Sequence, residues 1–149
     1  MKNNLDKIKK ISEDFLSRLD WESDINIEIT EKVIYVKIEI EEPQLLIGRG
    51  GETLEALQHL LRLVINNQLG EFLNIIVDIN DYKNKQRVFL ETDSEQKAEY
   101  VKKTGKEIEL RPMNSFERRI VHMALKDFSG VVAESEGEGR DRRIVIRPE

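Results

Sequence analysis

Three glycines fall within four residues of an otherwise apolar stretch, and no other feature of the sequence constrains the fold as strongly. Residues 45–47 are apolar, Gly48-Arg49-Gly50-Gly51 follows, and an apolar helical pattern starts directly afterwards. Because glycine has no Cβ atom, the backbone here can turn sharply and approach another chain closely. Pro43 suits the first turn of a short helix that Gly48 ends. The pattern predicts a tight loop between two helices.

The predicted loop has the features of a phosphate-binding site. The helix that begins near Gly51 directs unpaired amide N–H groups and the positive end of its dipole toward the loop. Arg49 adds a positive charge, and amide donors together with a cation suit a phosphate. Leu46, Ile47 and Leu54 are expected to form an apolar shelf beside the loop that carries bases instead of a duplex.

The residues around the loop decide between several glycine motifs, since most isolated Gly-x-x-Gly sequences are ordinary turns. A Walker loop would end in Lys-Ser/Thr, which is absent, and Thr53 stands where the dinucleotide fingerprint needs its third glycine. An apolar pair, Gly-x-x-Gly and then Leu54, all within one α/β unit, resembles the K-homology (KH) motif. The loop of that motif clamps the backbone of about four nucleotides.

The elements around the loop predict a small α/β unit over residues 1–80. Helix-spaced apolar residues follow Asn3 or Asn4 as a candidate N-cap, and two alternating segments around a turn near Glu31 predict a β-hairpin. With the helices on either side of the loop and a third strand, the order is helix–strand–strand–helix–helix–strand. This is the order of a type II KH domain, with a three-stranded sheet covered by helices on one face.

The helix after the loop is apolar almost all round. One face carries Leu54, Leu57, Leu61, Val64 and Ile65, and another carries Leu60 and Leu63. We therefore expect this helix to be buried on more than one side.

A second α/β unit is predicted over residues 81–149. A long charged helix, Tyr82 to Thr104, is expected to connect the units (residues 81–104), although Thr92-Asp93-Ser94 offers a break. The later elements are a short strand at Ile108 and Leu110, a helix through Phe128, and strands at residues 131–133 and 142–147. The sequence therefore predicts two small α/β (α+β) domains.

Arg118 and His122 lie four residues apart on a helix of the second unit, so they share one face. A guanidinium beside an imidazole offers a bidentate phosphate ligand and a ring for stacking. The alternative is an ordinary helix surface on which Arg118 pairs with Glu117 or solvent and His122 is half buried. Spacing alone leaves both interpretations open.

The wider context of this helix resembles the R-three-H domain, which is named for its Arg-x-x-x-His signature and is associated with single-stranded nucleic acids. The similarity is carried by residues 104–105, 109–113, 117–122, 135–138 and 142–146. A KH unit followed by an R-three-H unit is similar to the Jag family (also called KhpB, or SpoIIIJ-associated proteins). Its members are bacterial cytoplasmic RNA-binding proteins, and the resemblance covers residues 1–149.

The resemblance implies a non-enzymatic protein that binds single-stranded RNA, with single-stranded DNA as a second candidate ligand, as an RNA chaperone or post-transcriptional regulator. It implies a smaller KH-only protein as a partner in cell elongation or division. With the apolar shelf, the implied contacts are Ile47, Gly48, Arg49, Gly50, Gly51, Leu54, Arg118, Arg119 and His122. Two departures stand out: Gly50 replaces a polar or basic loop residue, and the N-terminal domain of longer members has no counterpart in this sequence.

Composition excludes several other functions. The 149 residues carry a net charge of −5 and no cysteine, which argues against a generic polyanion binder, disulfides and thiolate metal sites. Neither a signal peptide nor a membrane-inserting segment is evident, and the family resemblance implies a cytoplasmic location. No catalytic motif, cofactor or metal site is predicted, and Glu134, Glu136, Glu138 and Asp141 favour a solvated hairpin over a cation site. The alternative function is an interaction or dimerisation module whose KH unit has lost nucleic-acid binding.

Overall fold

The computed structural model describes residues 2–149, and the chain divides into two compact units after Tyr82. Each unit contains a three-stranded sheet and helices, so the predicted α/β class is confirmed. The domain limits 1–80 and 81–149 stay a prediction. In chain order the elements are α1 (Lys2–Ser17), β1 (Asp24–Thr30), β2 (Val33–Glu39), α2 (Gln44–Ile47), α3 (Glu52–Leu69), β3 (Asn74–Ile79), α4 (Tyr82–Thr104), β4 (Ile108–Glu109), α5 (Ser115–Leu125), β5 (Val131–Glu136) and β6 (Arg143–Pro148).

The first sheet has the order β1-β2-β3, with β1 and β2 antiparallel and β2 and β3 parallel. Its register aligns β-branched residues on one face, where Ile27, Val36 and Val77 are cross-strand neighbours. These residues pack with the apolar faces of α1 and α3 into one core. The predicted hairpin and the order helix–strand–strand–helix–helix–strand are confirmed.

The first helix begins earlier than the sequence predicted. Because α1 already includes Lys2, Asn3 and Asn4 lie inside the helix, and neither residue is its N-cap. Ile8 and Leu16 are fully buried on its inner face, and the buried Ser12 hydroxyl donates to the Ile8 carbonyl over 2.8 Å. The short polar side chain is thus satisfied by the preceding turn of the helix.

The helix after the glycine loop is buried on one side only, which corrects the sequence prediction. Leu54, Leu57, Leu61 and Ile65 lie in the core, whereas Leu60 and Leu63 are 51% and 52% exposed. The first unit has helices on one face of its sheet, so no second layer covers the outer face of α3 among the unit's described residues. This apolar face is the largest departure from the predicted burial.

The second sheet has the order β4-β6-β5 with antiparallel pairs, and its core includes Ile144 and Ile146. The predicted 23-residue helix is present without a break at Ser94, whose hydroxyl donates to the Glu91 carbonyl within the helix. Ala98 and Val101 are fully buried in this core. The helix is thus a structural part of the second unit, and its role as a connector stays a prediction.

Helix α5 begins with a capping box. The Asn114 side chain accepts from the Glu117 amide at 2.9 Å, and the Glu117 carboxylate accepts from the Asn114 amide at 3.0 Å. Both amides would otherwise lack a partner at the start of the helix. The helix ends at Leu125 instead of the predicted Phe128, and β5 continues three residues further than predicted, to Glu136.

Candidate nucleic-acid interface

The glycine loop adopts backbone conformations that residues with a side chain rarely adopt. Gly48 has φ 71° and ψ −176°, and Gly51 has φ 83° and ψ 11°. A Cβ atom on Gly48 would lie 2.1 Å from Oγ1 of Thr53, and one on Gly51 would lie 3.1 Å from Cε1 of Tyr82. Close approach and positive φ therefore both require glycine here. Gly50, with φ 60° and ψ 17°, also adopts the left-handed conformation.

Arg49, the cation of the loop, has acidic residues on both sides of it along the chain. The Arg49 side chain is exposed and forms no hydrogen bond or ion pair with another described residue, so it is free to meet a ligand. Glu52 and Glu55 occupy the first turn of α3, and Glu41 and Glu42 precede α2. Acidic side chains at a helix N-terminus stabilise the helix but repel an incoming phosphate.

The apolar shelf predicted beside the loop is mostly absent. Leu54 is 1% exposed and Leu46 is 8% exposed, because both pack into the first core. Only Ile47 is half exposed, while Leu45, which the sequence interpretation passed over, is 75% exposed. The structure therefore corrects the assignment of Leu54, which holds α3 in place and presents no surface to a base. The helical phase of α2 is the signal that distinguishes Leu45 from Leu46.

Arg118 is held by the backbone of the segment that precedes α5. Its Nη1 donates to the Met113 carbonyl at 2.6 Å, and the side chain is half buried. His122, one helical turn further on, is also half buried, whereas Arg119 is exposed. The structure thus places Arg118 and His122 on one side of α5, as the i,i+4 spacing predicted. Four of the five guanidinium N–H donors of Arg118 stay available, because one is used by Met113.

Glu117 is buried and does not pair with Arg118. Its carboxylate is 2% exposed and accepts from Nη2 of Arg111 at 3.0 Å and from Nε2 of Gln86. Nη1 of Arg111 donates to the Pro112 carbonyl at 3.2 Å. The guanidinium groups of Arg111 and Arg118 thus bind the carbonyls of consecutive residues, Pro112 and Met113. Sequence reasoning missed Arg111, because its contact with Glu117 depends on how the loop folds back.

Other arginines of the second unit are occupied within its sheet. Arg147 contacts Glu107 at 2.9 Å and Glu136 at 2.6 Å, and Arg143 contacts Glu109 at 2.9 Å. The hydrogen bond from Arg147 lowers the pKa of Glu136 from its ordinary value. These ion pairs explain part of the acidic sequence around residue 136 as one side of a charge network across the strands.

Across the described residues, 2–149, no three histidine, aspartate or glutamate side chains are grouped so that they could hold a metal ion. Every helix there is too short or too polar to pass through a lipid bilayer.

Two family models match the chain, one in each unit. The KH domain of KhpA/KhpB matches residues 6–79, and the R-three-H domain matches residues 88–148. The chain carries a KhpA/KhpB-type KH domain followed by an R-three-H domain. Both the KH order of elements in the first unit and the Arg-x-x-x-His helix in the second are thereby accounted for.

Curated relatives share both halves of the chain. It is 34% identical to RNA-binding protein KhpB of Clostridium symbiosum over 143 residues, which cover 95% of this chain and 64% of that protein. It is 36% identical to RNA-binding protein KhpB of Bacillus subtilis over 126 residues, which cover 83% of this chain and 61% of that protein. The Streptococcus pneumoniae protein of the same name is 28% identical over 131 residues, which cover 88% of this chain and 40% of that protein. The chain thus spans about three fifths of the first two relatives.

Proposed function

We propose that this chain binds single-stranded RNA without catalysing a reaction, as a cytoplasmic RNA chaperone or post-transcriptional regulator. Relatives with both domains are named RNA-binding proteins, which supports the proposal. KH loops clamp a single-stranded backbone, and a loop with the required glycine geometry is present in the first unit.

The observation that carries the proposal is the position of Arg118. Its guanidinium is oriented by the Met113 carbonyl and keeps donors for a phosphate, next to an imidazole one turn away. Its unit is also the more basic of the two. Residues 83–149 hold 15 basic and 13 acidic residues, a net +2, whereas residues 1–82 hold 9 and 16, a net −7. We therefore assign the main phosphate contacts to the second unit.

The proposal is tested by the salt dependence of RNA binding. With two to four phosphate contacts, log K against log salt should have a slope of about −1.4 to −2.8 for a single strand. Replacing Arg118 by Ala should flatten the slope by about 0.7, because one phosphate contact is lost. Fluorescence anisotropy with a labelled single-stranded oligonucleotide, measured at several salt concentrations, gives both slopes.

The matched control is Arg87→Ala on α4. Arg87 is also a helical arginine, and its guanidinium is already bonded to Glu91 and Asn84. The control should leave the slope unchanged, while circular dichroism confirms that both variants are folded. No binding by the unaltered chain would refute the proposed function. Equal slopes for Arg118→Ala and the unaltered chain would move the phosphate surface elsewhere, for instance to Arg140.

A second function is favoured for the KH unit by its surface. Its net charge of −7 and the carboxylates of Glu52 and Glu55 oppose phosphate binding, and Leu60 and Leu63 expose an apolar face. We propose, as the alternative, that this unit binds protein, with a smaller KH-only protein as the partner and cell elongation or division as the process. Under this alternative, Arg49→Asp leaves RNA affinity unchanged, whereas Leu60→Ser with Leu63→Ser abolishes association with the partner in a pull-down.

A further inference from the structure

A small groove lies in the second unit between α4 and the segment that joins β4 to α5. Its volume is about 170 Å³. The apolar floor is formed by side chains that belong to the core, and its rim by longer, more exposed ones. The floor residues are Leu90, Leu110, Met113 and Val121, and the rim residues are Phe89, Asp93, Lys97 and Arg111.

Phe89 exposes its aromatic ring at the rim of the groove. It is 58% exposed, although the next residue, Leu90, is 3% exposed in the core. Phe116 is 53% exposed as well, so the position of the Phe89 ring matters more than its exposure. The ring stands at the edge of an apolar depression, where it can cover one face of a flat ligand.

The dimensions and charge of the groove indicate the ligand. A cavity of about 150 Å³ holds a benzene ring, so about 170 Å³ accommodates a ring of the size of a single nucleobase. Arg111 uses two of its five N–H donors, on Glu117 and Pro112, and three are left for an anion beside the groove. Lys97 at the rim is bonded to Asp93 at 2.7 Å, so Arg111 is the cation that can meet a ligand. An aromatic ring, an apolar floor and one cation together match a base with its phosphate.

We propose that this groove is a nucleobase-binding site of single-stranded RNA, with Phe89 stacking on the base and Arg111 contacting an adjacent phosphate. The proposal rests on the proposed RNA-binding function and adds a contact to the Arg118–His122 pair. The buried Glu117 positions Arg111, and Arg111 and Arg118 are held by consecutive carbonyls. The two guanidinium groups can therefore serve neighbouring positions along one strand.

The test replaces the aromatic ring and measures affinity for RNA. Labelled oligo(A) and oligo(U) of about 16 nucleotides exceed most single-strand binding sites, and their binding to the full chain is followed by anisotropy. Phe89→Ala should weaken binding roughly 5- to 150-fold, the range expected when one stacked base is lost. The salt slope should stay unchanged because no charge is removed, whereas Phe89→Trp should keep the affinity.

Two controls separate stacking from a change in folding. Tyr100→Ala removes a 49% exposed aromatic ring from the same helix, about 16 Å further along its axis, and should bind as the unaltered chain does. Phe89→Leu keeps an apolar side chain without the ring and should lose affinity while its melting curve stays unchanged. In a Trp21→Phe background, the fluorescence of Phe89→Trp should be quenched by oligo(A).

The possible outcomes are distinct. If the unaltered chain binds RNA and Phe89→Ala and Phe89→Leu bind equally well, the base site is refuted while the proposed function stands. The groove would then be a candidate site for a protein side chain. If the unaltered chain binds no RNA, the proposed function and the base site are both refuted.

Discussion

Replacing Gly48 by Ala should destabilise the first unit far more than an ordinary glycine substitution. Gly48 ends α2 and starts the loop that presents Arg49. Its φ of 71° and ψ of −176° lie in a region that is essentially restricted to glycine. The added methyl group would also lie 2.1 Å from Oγ1 and 2.8 Å from Cβ of Thr53, so turning the Thr53 side chain cannot relieve both contacts.

The magnitude follows from these two effects. A residue held in such a conformation costs about 1–3 kcal/mol, and overpacking against a fixed neighbour costs about 1–3 kcal/mol more. We therefore expect the free energy of unfolding to fall by about 2–6 kcal/mol. For a unit of this size, even the lower limit lowers the melting temperature by about 8 °C or more.

The assay uses the single tryptophan of the chain. Trp21 packs against the first core, so its fluorescence during urea unfolding reports on the first unit. The matched control is Gly70→Ala, because Gly70 also has a positive φ, 65°, but a Cβ atom there would meet no atom within 4 Å. The control should lose only about 1–2 kcal/mol, the cost of the left-handed conformation. Equal losses for the two variants would refute the conclusion that Thr53 and the loop geometry require Gly48.

Two further predictions concern charge. Asp24 and Glu39 are directly opposed across β1 and β2, so Glu39→Lys should stabilise the first unit by about 0.2–1 kcal/mol in the Trp21 assay. Glu31→Lys makes the same charge change in the turn and should gain less, and an equal gain would mean that pairing is irrelevant. The second prediction concerns Glu136, whose pKa is lowered by the hydrogen bond from Arg147. The contribution of Glu136 to stability is therefore complete above its unfolded-state pKa, and it is lost as the pH falls through its pKa in the folded protein. Melting temperatures followed by circular dichroism from pH 7 to about pH 3 should therefore fall less for Glu136→Gln than for the unaltered chain, and parallel curves would contradict this account.

Sequence periodicity predicted the first fold well because the signals there were local. Alternating β-branched residues specified β1, β2 and β3, and glycine with proline specified the loop. The burial of α3 was mispredicted because its apolar positions cover two faces, and only the arrangement of layers decides which face meets the core. The capping box of Asn114 and Glu117 could also have been predicted from the sequence, since Asn-x-x-Glu before an apolar helix is its signature.

The candidate contacts that the sequence missed depend on tertiary structure. Arg111 is ordered by the Glu117 carboxylate and by the Pro112 carbonyl. No periodic pattern of the sequence predicts either contact. Phe89 fitted an apolar helical position, and only its 58% exposure beside the groove distinguishes it from a core residue. Leu54 shows the reverse, because proximity to the glycine loop in sequence suggested a surface role for a side chain that is buried.

The two units carry net charges of opposite sign, and this difference affects how the RNA affinity of the chain depends on salt. Under the proposed RNA binding, the KH unit, with a net charge of −7, would attract a phosphate mainly through loop amides and Arg49, against its own acidic field. Salt screens that repulsion over about 8 Å at physiological ionic strength. The same salt weakens phosphate contacts by Arg118 and Arg111 through counterion competition. The two effects oppose one another, so the proposed RNA affinity should depend less on salt than the number of arginines in the second unit suggests.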